Sequence, residues 1–443
     1  MRILRKANLF RSVLAIGMTC AVFGMSAPTM AAAASQGRAV LFTAAGPAEA
    51  QQKAVAIAVG DSHSCLLTAD SVVECWGSDL NGQLGDGQSG PAAFSTSPVQ
   101  VSGLVSPTAI AAGGNFTCAL QADGTVMCWG NNTYGQLGTL EPGINITTPV
   151  SVANLTNATA IVAGLAHACA LANGNVYCWG RNDYGEIGAG YTCQGSNHCT
   201  YPTPSQVSGL SGVTAIAAGG YHTCALVYGF VECWGRNFYG EIGNGAHGAN
   251  VLTPTYATGL GGATAIVAGA FHTCALTSES GVQCWGSDAN GQIGDNLLSP
   301  NAMALAPTDV MSMTSGITAI VRGGNHSCTI TSSGGARCWG SNSDGQLGIG
   351  TDTNPVEPIA VDVSGLSSGV VALSAGPLSN QHTCALLWTG GVKCWGSNVY
   401  GQLGYGGPGG EVTDSYVPID VEGFAIPIYV TYMPLILAET SQP

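Results

Sequence analysis

The apolar positions of the chain fall into short runs, and turn residues separate one run from the next. The segments "TAIAAG" (108–113), "TCAL" (117–120) and "VMCWG" (126–130) are typical. Short runs bounded by Gly, Asn, Pro and Ser predict β-strands. An amphipathic helix would need a longer stretch with apolar residues at a period of 3.6. The pattern therefore predicts an all-β chain.

This group of strands occurs seven times along the sequence. Each copy contains a Cys-Trp-Gly triplet followed by a Gly-Gln/Glu-Leu/Ile-Gly phrase, and a Pro-led segment such as "SPVQVSGL" (97–104) supplies a fourth strand. Four-stranded repeats of this length are typical of propeller blades. We predict a seven-bladed β-propeller with four antiparallel strands per blade. The tryptophans that mark its period are Trp76, Trp129, Trp179, Trp234, Trp285, Trp339 and Trp395.

The two ends of the repeat region suggest how the ring closes. The first copy begins at "AVAIAVG" (54–60) with no Pro-led segment before it, and "VPIDVEGF" (417–424) follows the last copy. We expect this C-terminal strand to complete the first blade and lock the ring.

The residues before the repeats have the layout of a secretory signal peptide. Four basic residues are followed by an apolar run over 13–25 and by the small residues Ala31 and Ala33. The run is shorter than the ~20 residues that a membrane-spanning helix needs. The apolar C-terminal tail is interrupted by Pro427 and Pro434, and it could pack on the propeller or act as a sorting tag. The predicted organisation is a signal peptide over 1–34, an N-terminal segment over 35–53, the propeller over 54–424 and the tail over 425–443.

The charge of the chain argues against nucleic acid as a partner. The net charge is −14, and removal of the signal peptide leaves seven basic and 25 acidic residues. Nucleic-acid binding requires a basic face that neutralises phosphates. Export fits a secreted or cell-surface protein, and no cofactor is expected.

The cysteines predict a disulfide framework. Sixteen remain after Cys20 leaves with the signal peptide, and an even number in an exported chain favours disulfides. A two-residue turn at Asn173-Gly174 places Cys169 opposite Cys178, within disulfide reach. Zinc sites use shorter cysteine spacings. We predict seven hairpin disulfides and an eighth in a loop: Cys65–Cys75, Cys118–Cys128, Cys169–Cys178, Cys224–Cys233, Cys274–Cys284, Cys328–Cys338, Cys384–Cys394 and Cys193–Cys199.

The phrase "AIAAGGYHTCAL…VECWGRNFYGEIG" (215–243) resembles the repeat of the regulator of chromosome condensation family, and the likeness extends over 54–424. The disulfide-stapled variant is similar to secreted bacterial members and to the crinkly-type repeats of plant receptor kinases. The same fold includes a secreted bacterial β-lactamase inhibitor. The resemblance implies a protein-binding platform. The nuclear member's nucleotide exchange on a small GTPase fits poorly, because that activity needs a nuclear or cytosolic partner, a loop wedge and a basic tail.

Two recurring polar positions could be metal sites or parts of the scaffold. Six histidines lie two residues before the first cysteine of their hairpin, and Phe116 replaces the histidine in the second copy. We expect each imidazole to donate to a backbone carbonyl and pin its blade. Asp79 and Asp288 begin segments that resemble calcium loops, but turn-forming hydrogen bonds explain them better. The histidines are His63, His167, His222, His272, His326 and His382.

Function is expected in what differs between the repeats. The loops after each Gly-x-Leu-Gly phrase differ most, and they should emerge on one face. The loop over 189–204, closed by its own cysteines, suits a binding anchor, because a restrained aromatic residue loses little entropy on docking. A merely decorated loop is the alternative. The predicted binding residues are Phe94, Tyr191, His198, Tyr201 and His247, with Leu297 and Leu298 as further candidates.

The sequence therefore predicts a secreted or cell-surface, monomeric propeller that binds a protein partner, as a scaffold or an inhibitor. An extracellular enzyme with a site at the propeller mouth is the alternative, and a guanine-nucleotide exchange factor is a more distant one. No Gly-x-Ser-x-Gly elbow, His-Glu-x-x-His pair or phosphate loop is present. Carboxylate pairs formed only in the folded chain stay open, because their pairing is spatial.

Overall fold

The computed structural model describes residues 52–192, 199–299, 302–351, 353–378, 381–406 and 412–424. The predicted signal peptide, almost all of the N-terminal segment and the C-terminal tail lie outside these residues. The described residues form 28 strands and no helix, so they contain no helix that could cross a membrane. The strands make seven four-stranded antiparallel sheets, which confirms the predicted seven-bladed propeller.

Each blade is a contiguous stretch of chain, and its four strands pair in sequence order. The first blade contains β1 (Ala54–Val59), β2 (His63–Thr68), β3 (Val73–Ser78) and β4 (Phe94–Gln100). The second contains β5 (Pro107–Ala112), β6 (Phe116–Gln121), β7 (Val126–Gly130) and β8 (Ile146–Ser151). The third contains β9 (Ala158–Ala163), β10 (His167–Ala172), β11 (Asn175–Arg181) and β12 (Thr200–Gln206).

The remaining four blades repeat this order. The fourth contains β13 (Val213–Ala218), β14 (His222–Val227), β15 (Phe230–Gly235) and β16 (Val251–Tyr256). The fifth contains β17 (Ala263–Ala268), β18 (His272–Thr277), β19 (Val282–Ser287) and β20 (Met303–Asp309). The sixth contains β21 (Ile317–Arg322), β22 (His326–Thr331), β23 (Ala336–Ser341) and β24 (Val356–Asp362). The seventh contains β25 (Val370–Ala375), β26 (His382–Leu387), β27 (Val392–Gly396) and β28 (Ser415–Asp420).

The expected closure of the ring by a C-terminal strand is wrong. Strand β28 pairs with β27 in the seventh blade, and the first blade obtains its outer strand from β4. The Pro-led segment follows its three partners instead of preceding them, because the chain returns locally along the outer edge of its own hairpin. The ring closes by side-by-side packing of the first and seventh blades. The amide of Ala54 donates to the carbonyl of Gly390 (3.2 Å), and the Ser64 hydroxyl contacts His382 Nε2 (2.7 Å).

The seven predicted hairpin disulfides are present. Cys169 lies directly opposite Cys178, with a Cα–Cα distance of 4.1 Å, and the turn between them has positive φ at Asn173 and Gly174. The other six bridges join directly opposed cysteines in the same way. Cys199 is also disulfide-bonded, and its expected partner Cys193 lies outside the described residues.

The blades adhere through an apolar layer that contains these disulfides and the repeated tryptophans. Trp179 of the third blade is fully buried against Cys128 and Leu137 of the second. Its indole N–H donates to the backbone carbonyl of Gln136 in the second blade (2.9 Å). The six other tryptophans donate to the equivalent carbonyl of the preceding blade. The repeated tryptophans therefore fill the space between blades and also fix its geometry.

The histidines lie in the same layer, but the acceptor that we expected for them is wrong. His63 Nε2 lies 2.9 Å from the hydroxyl of Thr117 in the next blade, and that hydroxyl donates to the carbonyl of Gln83 (3.1 Å). Because the hydroxyl proton is engaged, the imidazole must donate through Nε2. Complete burial lowers the pKa of His63 to about 3, so the ring is neutral. The histidines therefore link neighbouring blades by a hydrogen bond to a side-chain hydroxyl and not to a backbone carbonyl.

One interface lacks this polar contact. Phe116 stands at the histidine position of the second blade, and Ala168 stands at the hydroxyl position of the third. Both are fully buried in one apolar cluster. The bulky ring and the small methyl group replace the imidazole and the hydroxyl together, so the two positions behave as a matched pair.

Candidate binding face

One face of the ring gathers two sets of loops from every blade. The turn between the first and second strands and the long connection between the third and fourth strands leave each antiparallel sheet at the same end. In the first blade these are residues 60–62 and 79–93. We call the surface formed by the fourteen segments the loop face. The hairpin turns that lie near the disulfides are on the opposite face.

The predicted binding residues that the structure describes lie on the loop face or at its edge, but on different blades. Phe94 of the first blade is 48% exposed, and His247 of the fourth blade is exposed. Tyr191 and Tyr201 of the third blade come together, with ring centroids 5.9 Å apart, and Tyr191 is 57% exposed. His198 lies outside the described residues. The structure thus brings the two tyrosines together but joins neither of them to Phe94 or His247.

The base of the cysteine-closed loop is held by polar contacts. Asn182 Nδ2 donates to the carbonyl of Tyr191 (2.9 Å), and the amide of Cys199 donates to the carboxylate of Asp183 (2.7 Å). Burial and a hydrogen bond with Tyr191 both raise the pKa of Tyr201. The tyrosine pair therefore lies on an anchored segment at the outer edge of the third blade, because Tyr201 belongs to its outermost strand, β12.

The densest aromatic feature of this face was not predicted from the sequence. Arg181 and Arg236 follow the Cys-Trp-Gly triplets of the third and fourth blades, where the other five blades have Ser or Asn. The guanidinium carbon of Arg236 lies 4.7 Å from the centre of the Phe271 ring and 5.0 Å from that of Tyr239. Arg181 lies 4.4 Å from the centre of Tyr221. These distances are typical of cation–π contacts.

The rings around the two arginines also contact one another. Tyr221 and Phe271 are stacked, with an interplanar angle of 8° and centroids 5.5 Å apart. Tyr184 meets Tyr221 edge-on, and Tyr239 meets Phe271 at a steep angle. Stacked and edge-on pairs are the favoured geometries of aromatic side chains. We call this group the Arg–aromatic cluster: Arg181, Arg236, Tyr184, Tyr221, Tyr239, Phe271 and the 54% exposed Phe238.

Each arginine of the cluster has its own buried carboxylate. Arg181 Nε lies 3.0 Å from Glu186 Oε1, and Arg236 Nη1 lies 3.6 Å from Glu241 Oε1. Burial raises the pKa of Glu186 to about 7, and the Arg181 charge opposes this rise. Burial likewise raises the pKa of Glu241. Each cation is therefore fixed by a buried carboxylate and also lies close to an aromatic ring.

The repeats show that each arginine and its carboxylate form a unit. Glutamate occurs at this position only in the two blades that have arginine, and the other five blades have glutamine. In the sixth blade Gln346 Nε2 donates to the Ser341 hydroxyl (3.1 Å), in place of the ion pair. Comparing the copies position by position would have revealed the Arg–Glu pairs. Function was expected in the loops after each Gly-x-Leu-Gly phrase, and these pairs precede those loops.

Asp79 and Asp288 perform the turn role that their spacing indicated. Asp79 Oδ1 accepts from the amide of Leu84 (3.0 Å), and Asp288 Oδ1 accepts from that of Ile293 (2.9 Å). Asparagine makes the same bond in the other five blades. Across the described ranges, no group of three or more His, Cys, Asp or Glu residues is arranged to hold a metal ion.

Comparison with known proteins agrees with the fold. Two models of the regulator of chromosome condensation (RCC1) repeat match the chain, the first over 75–120, 123–171, 173–226 and 229–276. The second matches 54–83, 108–136, 158–186, 263–292, 317–346 and 370–402. Together these matches extend through all seven blades.

The similar proteins include one that this chain matches over most of its length and one that it matches over a small part. The ultraviolet-B receptor UVR8 of Arabidopsis thaliana is 29% identical over 385 residues, which are 85% of this chain and 83% of that protein. The human E3 ubiquitin-protein ligase HERC2 is 30% identical over 75% of this chain, but the match is only 7% of HERC2.

Solved structures with the same fold include Prp20p of Saccharomyces cerevisiae and human WBSCR16. Prp20p superposes with a TM-score of 0.68 at 22% identity and covers 84% of this chain and 88% of its own. WBSCR16 superposes with a TM-score of 0.69 at 22% identity, over 79% and 94%. With the repeat models matching in every blade, the chain belongs to the regulator of chromosome condensation repeat family.

Proposed function

We propose that the chain is a secreted or cell-surface propeller that binds a protein partner through its loop face, as an interaction scaffold or an inhibitor. The observation that carries this proposal is the Arg–aromatic cluster. It places two arginines and five rings on adjacent blades, at positions where the other blades have mostly small or polar residues. We propose that it is the centre of the binding surface and that Tyr191 and Tyr201 extend it.

The chemistry of the cluster suits recognition of a protein. Tyrosine and arginine are enriched among the residues that dominate binding energies. Neighbouring rings and buried carboxylates already restrain the side chains, so docking costs little conformational entropy. A buried Arg–Glu pair contributes little net stability, because desolvation of the two charges offsets their attraction. Retention of two such pairs therefore supports a role outside folding.

Export is part of the proposal. Seven disulfides are typical of proteins that mature in an oxidising compartment. The basic and apolar N-terminal residues supply a signal for secretion. Nucleotide exchange on a small GTPase is disfavoured, because such a partner is not met outside the cell. We propose a monomer, with neither nucleic acid nor a cofactor as a ligand.

Relatives show that a propeller of this type can serve as a binding platform. The study of Prp20p describes its binding to Gsp1p and histones. No observation on the loop face favours an enzyme over a binding protein. Asp79 and Asp288 have raised pKa values, but they belong to the first and fifth blades and each is tied into its own turn. We therefore propose a protein that is not an enzyme.

A double substitution tests the cluster without leaving a buried charge unpaired. Arg236→Ser with Glu241→Gln installs the pair that the fifth, sixth and seventh blades already have. We expect partner affinity to fall at least tenfold, about 1.4 kcal/mol, with an unchanged thermal unfolding midpoint. The partner is first captured by cross-linking exported proteins to the mature chain, and its affinity is then measured by calorimetry.

Two further variants define the surface. Arg337→Ser removes a partly exposed arginine that pairs with Asp362 on the sixth blade, away from the cluster, and it should leave affinity unchanged. Tyr191→Ala with Tyr201→Ala should weaken binding less than the cluster variant if the tyrosines form the rim. Equal binding by the parent and by both loop-face variants would refute the proposed surface.

A further inference from the structure

The axis of the propeller contains a channel of about 270 Å³ surrounded by the seven inner strands. Aliphatic side chains line it at one repeated position, and Ser374 and Arg322 are among the other lining residues. The aliphatic residues are Ile57, Ile110, Ile161, Ile216, Ile266, Ile320 and Leu373. The last residue of each inner strand occupies another. Five of these are alanine, one is valine and one is arginine: Val59, Ala112, Ala163, Ala218, Ala268, Arg322 and Ala375.

Arg322 extends across this channel. From the sixth blade, its Nη2 donates to the backbone carbonyls of Ala163 (3.1 Å) and Ala218 (3.2 Å) in the third and fourth blades. Its Nη1 is buried and has no hydrogen-bond partner among the described residues. Two backbone dipoles therefore hold one edge of the guanidinium, and its other amino group is unsatisfied.

The charge of Arg322 is not neutralised by contact with a carboxylate. Each of the four ion pairs among the described residues uses another cation. Burial lowers the pKa of Arg322 to about 10, and the Asp61 charge limits this fall, so the side chain stays cationic at neutral pH. A largely buried cation without a carboxylate in contact is costly, because the two backbone carbonyls replace only part of its hydration. An anion in the channel would remove most of that cost.

We propose that the axial channel binds a small carboxylate, with the anionic group on Arg322 and a short alkyl chain against the aliphatic wall. A guanidinium binds a carboxylate through charge-assisted hydrogen bonds. One cation favours a monoanion over a phosphate with more than one charge. An engineered cavity of about 150 Å³ binds benzene, so this channel has room for a ligand of several heavy atoms.

The position of Arg322 indicates the entrance. It ends β21 and directly precedes the turn at 323–325 on the loop face. The guanidinium therefore lies at the loop-face end of the channel, so a bound carboxylate would sit at this mouth with its alkyl chain directed inward along the wall. The carboxylate could belong to a free metabolite or to an acidic side chain of a docked protein, since both present the same group.

The test compares butyrate with its neutral isostere butyramide at constant ionic strength. In the parent protein, butyrate should raise the thermal unfolding midpoint along a saturable curve, because a ligand that binds only the folded state stabilises it. Butyramide should have no such effect. Arg322→Ala is the matched variant, because five of the six equivalent positions already have alanine, so it should fold. Its affinity for butyrate, measured by calorimetry, should be at least tenfold weaker.

Two controls make the outcome decisive. Arg337→Ala removes an arginine outside the channel and should keep the full butyrate response. Equal responses of the parent and Arg322→Ala, or no parent response up to about 100 mM butyrate, would overturn the proposal. Competition separates the two sources of carboxylate. If the carboxylate is an acidic side chain of a docked protein, butyrate should displace that protein. If it belongs to a free metabolite, butyrate should leave binding of the protein partner unchanged. The Arg236→Ser/Glu241→Gln variant should keep its butyrate response even if it loses the protein partner.

Discussion

Two regions are made from the same seven repeats: the apolar layer between the blades, and the centre of the loop face. The layer keeps the same contacts in nearly every repeat, whereas the loop face does not. In the layer, every tryptophan makes the same bond to the preceding blade, and the one departure, Phe116 with Ala168, changes both partners together. On the loop face, the two arginines and five rings of the Arg–aromatic cluster gather on the third, fourth and fifth blades, whereas the five blades without these arginines have serine or asparagine at that position and glutamine in place of the paired glutamate.

This contrast separates positions that packing between blades constrains from positions that can vary without affecting the fold. A position between blades must satisfy its neighbour, so a substitution there requires a compensating one in the adjoining blade. At the Arg–Glu positions of the loop face, the serine or asparagine and the glutamine of the other blades serve the same fold. Residues that break the repeat on that face therefore report on what the surface binds. We expect substitutions in the layer to change stability and substitutions on the face to change binding.

The largest effect should come from removing a tryptophan of the layer. Trp179→Ala would leave a cavity against Cys128 and Leu137 and would remove the bond to the Gln136 carbonyl. Truncation of a buried aromatic residue typically costs about 3–5 kcal/mol. Denaturant unfolding measures the loss, with the Tyr191→Ala/Tyr201→Ala variant as the control that should unfold like the parent. A small loss at Trp179 would contradict the distinction between layer and face.

An intermediate effect should appear when a polar interface is converted into the apolar type. His167→Phe with Thr223→Ala copies the Phe116–Ala168 pair into the interface between the third and fourth blades. Burial, with smaller contributions from Arg181, His222 and Arg322, lowers the pKa of His167 to about 3, whereas in the unfolded chain the value is about 6.5. The unfolded state therefore binds more protons between these pH values, and His167 causes stability to fall as the pH falls below about 6.5.

The double variant should consequently lose less stability on acidification. Between pH 7 and 4.5 we expect it to lose about 2 kcal/mol less than the parent, as measured by urea unfolding at several pH values. His167→Phe alone is the control, because the larger ring then meets the Thr223 side chain and should destabilise the protein at every pH. The same pH slope in the parent and the double variant would show that this histidine is not the source of the acid sensitivity.

The sequence predicted the layer better than the face for the same physical reason. The tryptophans, cysteines and Asn173-Gly174 recur or follow local turn rules, so their hairpins and disulfides could be read from spacing alone. Ring closure was misjudged because the Pro-led strand can be assigned to the copy before or after it, and only the pairing of β28 with β27 decides. The Arg–aromatic cluster depends on contacts between different blades, as between Arg236 and Phe271, which no local pattern reveals.

The smallest effect on stability should come from turn positions that lie within the loop face but serve the fold. These positions test most directly whether a loop-face residue acts in folding or in binding. Asp79 and Asp288 occupy a turn position that is asparagine in the other five blades. In four of those blades the amide both accepts a backbone N–H and donates to a carbonyl, as Asn132 does to Glu141 (2.9 Å). An ionised carboxylate cannot donate that second bond. Burial raises the pKa of Asp79 to about 6 and that of Asp288 to about 7, although the bonds from Leu84 and Ile293 oppose the rise.

Because these pKa values exceed that of an unfolded aspartate, the folded state binds more protons between about pH 4 and 7, and stability is lost as the pH rises through this window. Asp79→Asn with Asp288→Asn should therefore stabilise the protein at pH 8 by about 1–2 kcal/mol, allowing for partial screening by solvent. The gain should nearly vanish at pH 5, where both carboxyl groups are largely protonated in the parent. Thermal unfolding at the two pH values measures it, and partner affinity should not change. A gain of equal size at both values would show that the carboxyl groups do not titrate as their burial implies, whereas a loss of binding would move these turns from the scaffold into the binding surface.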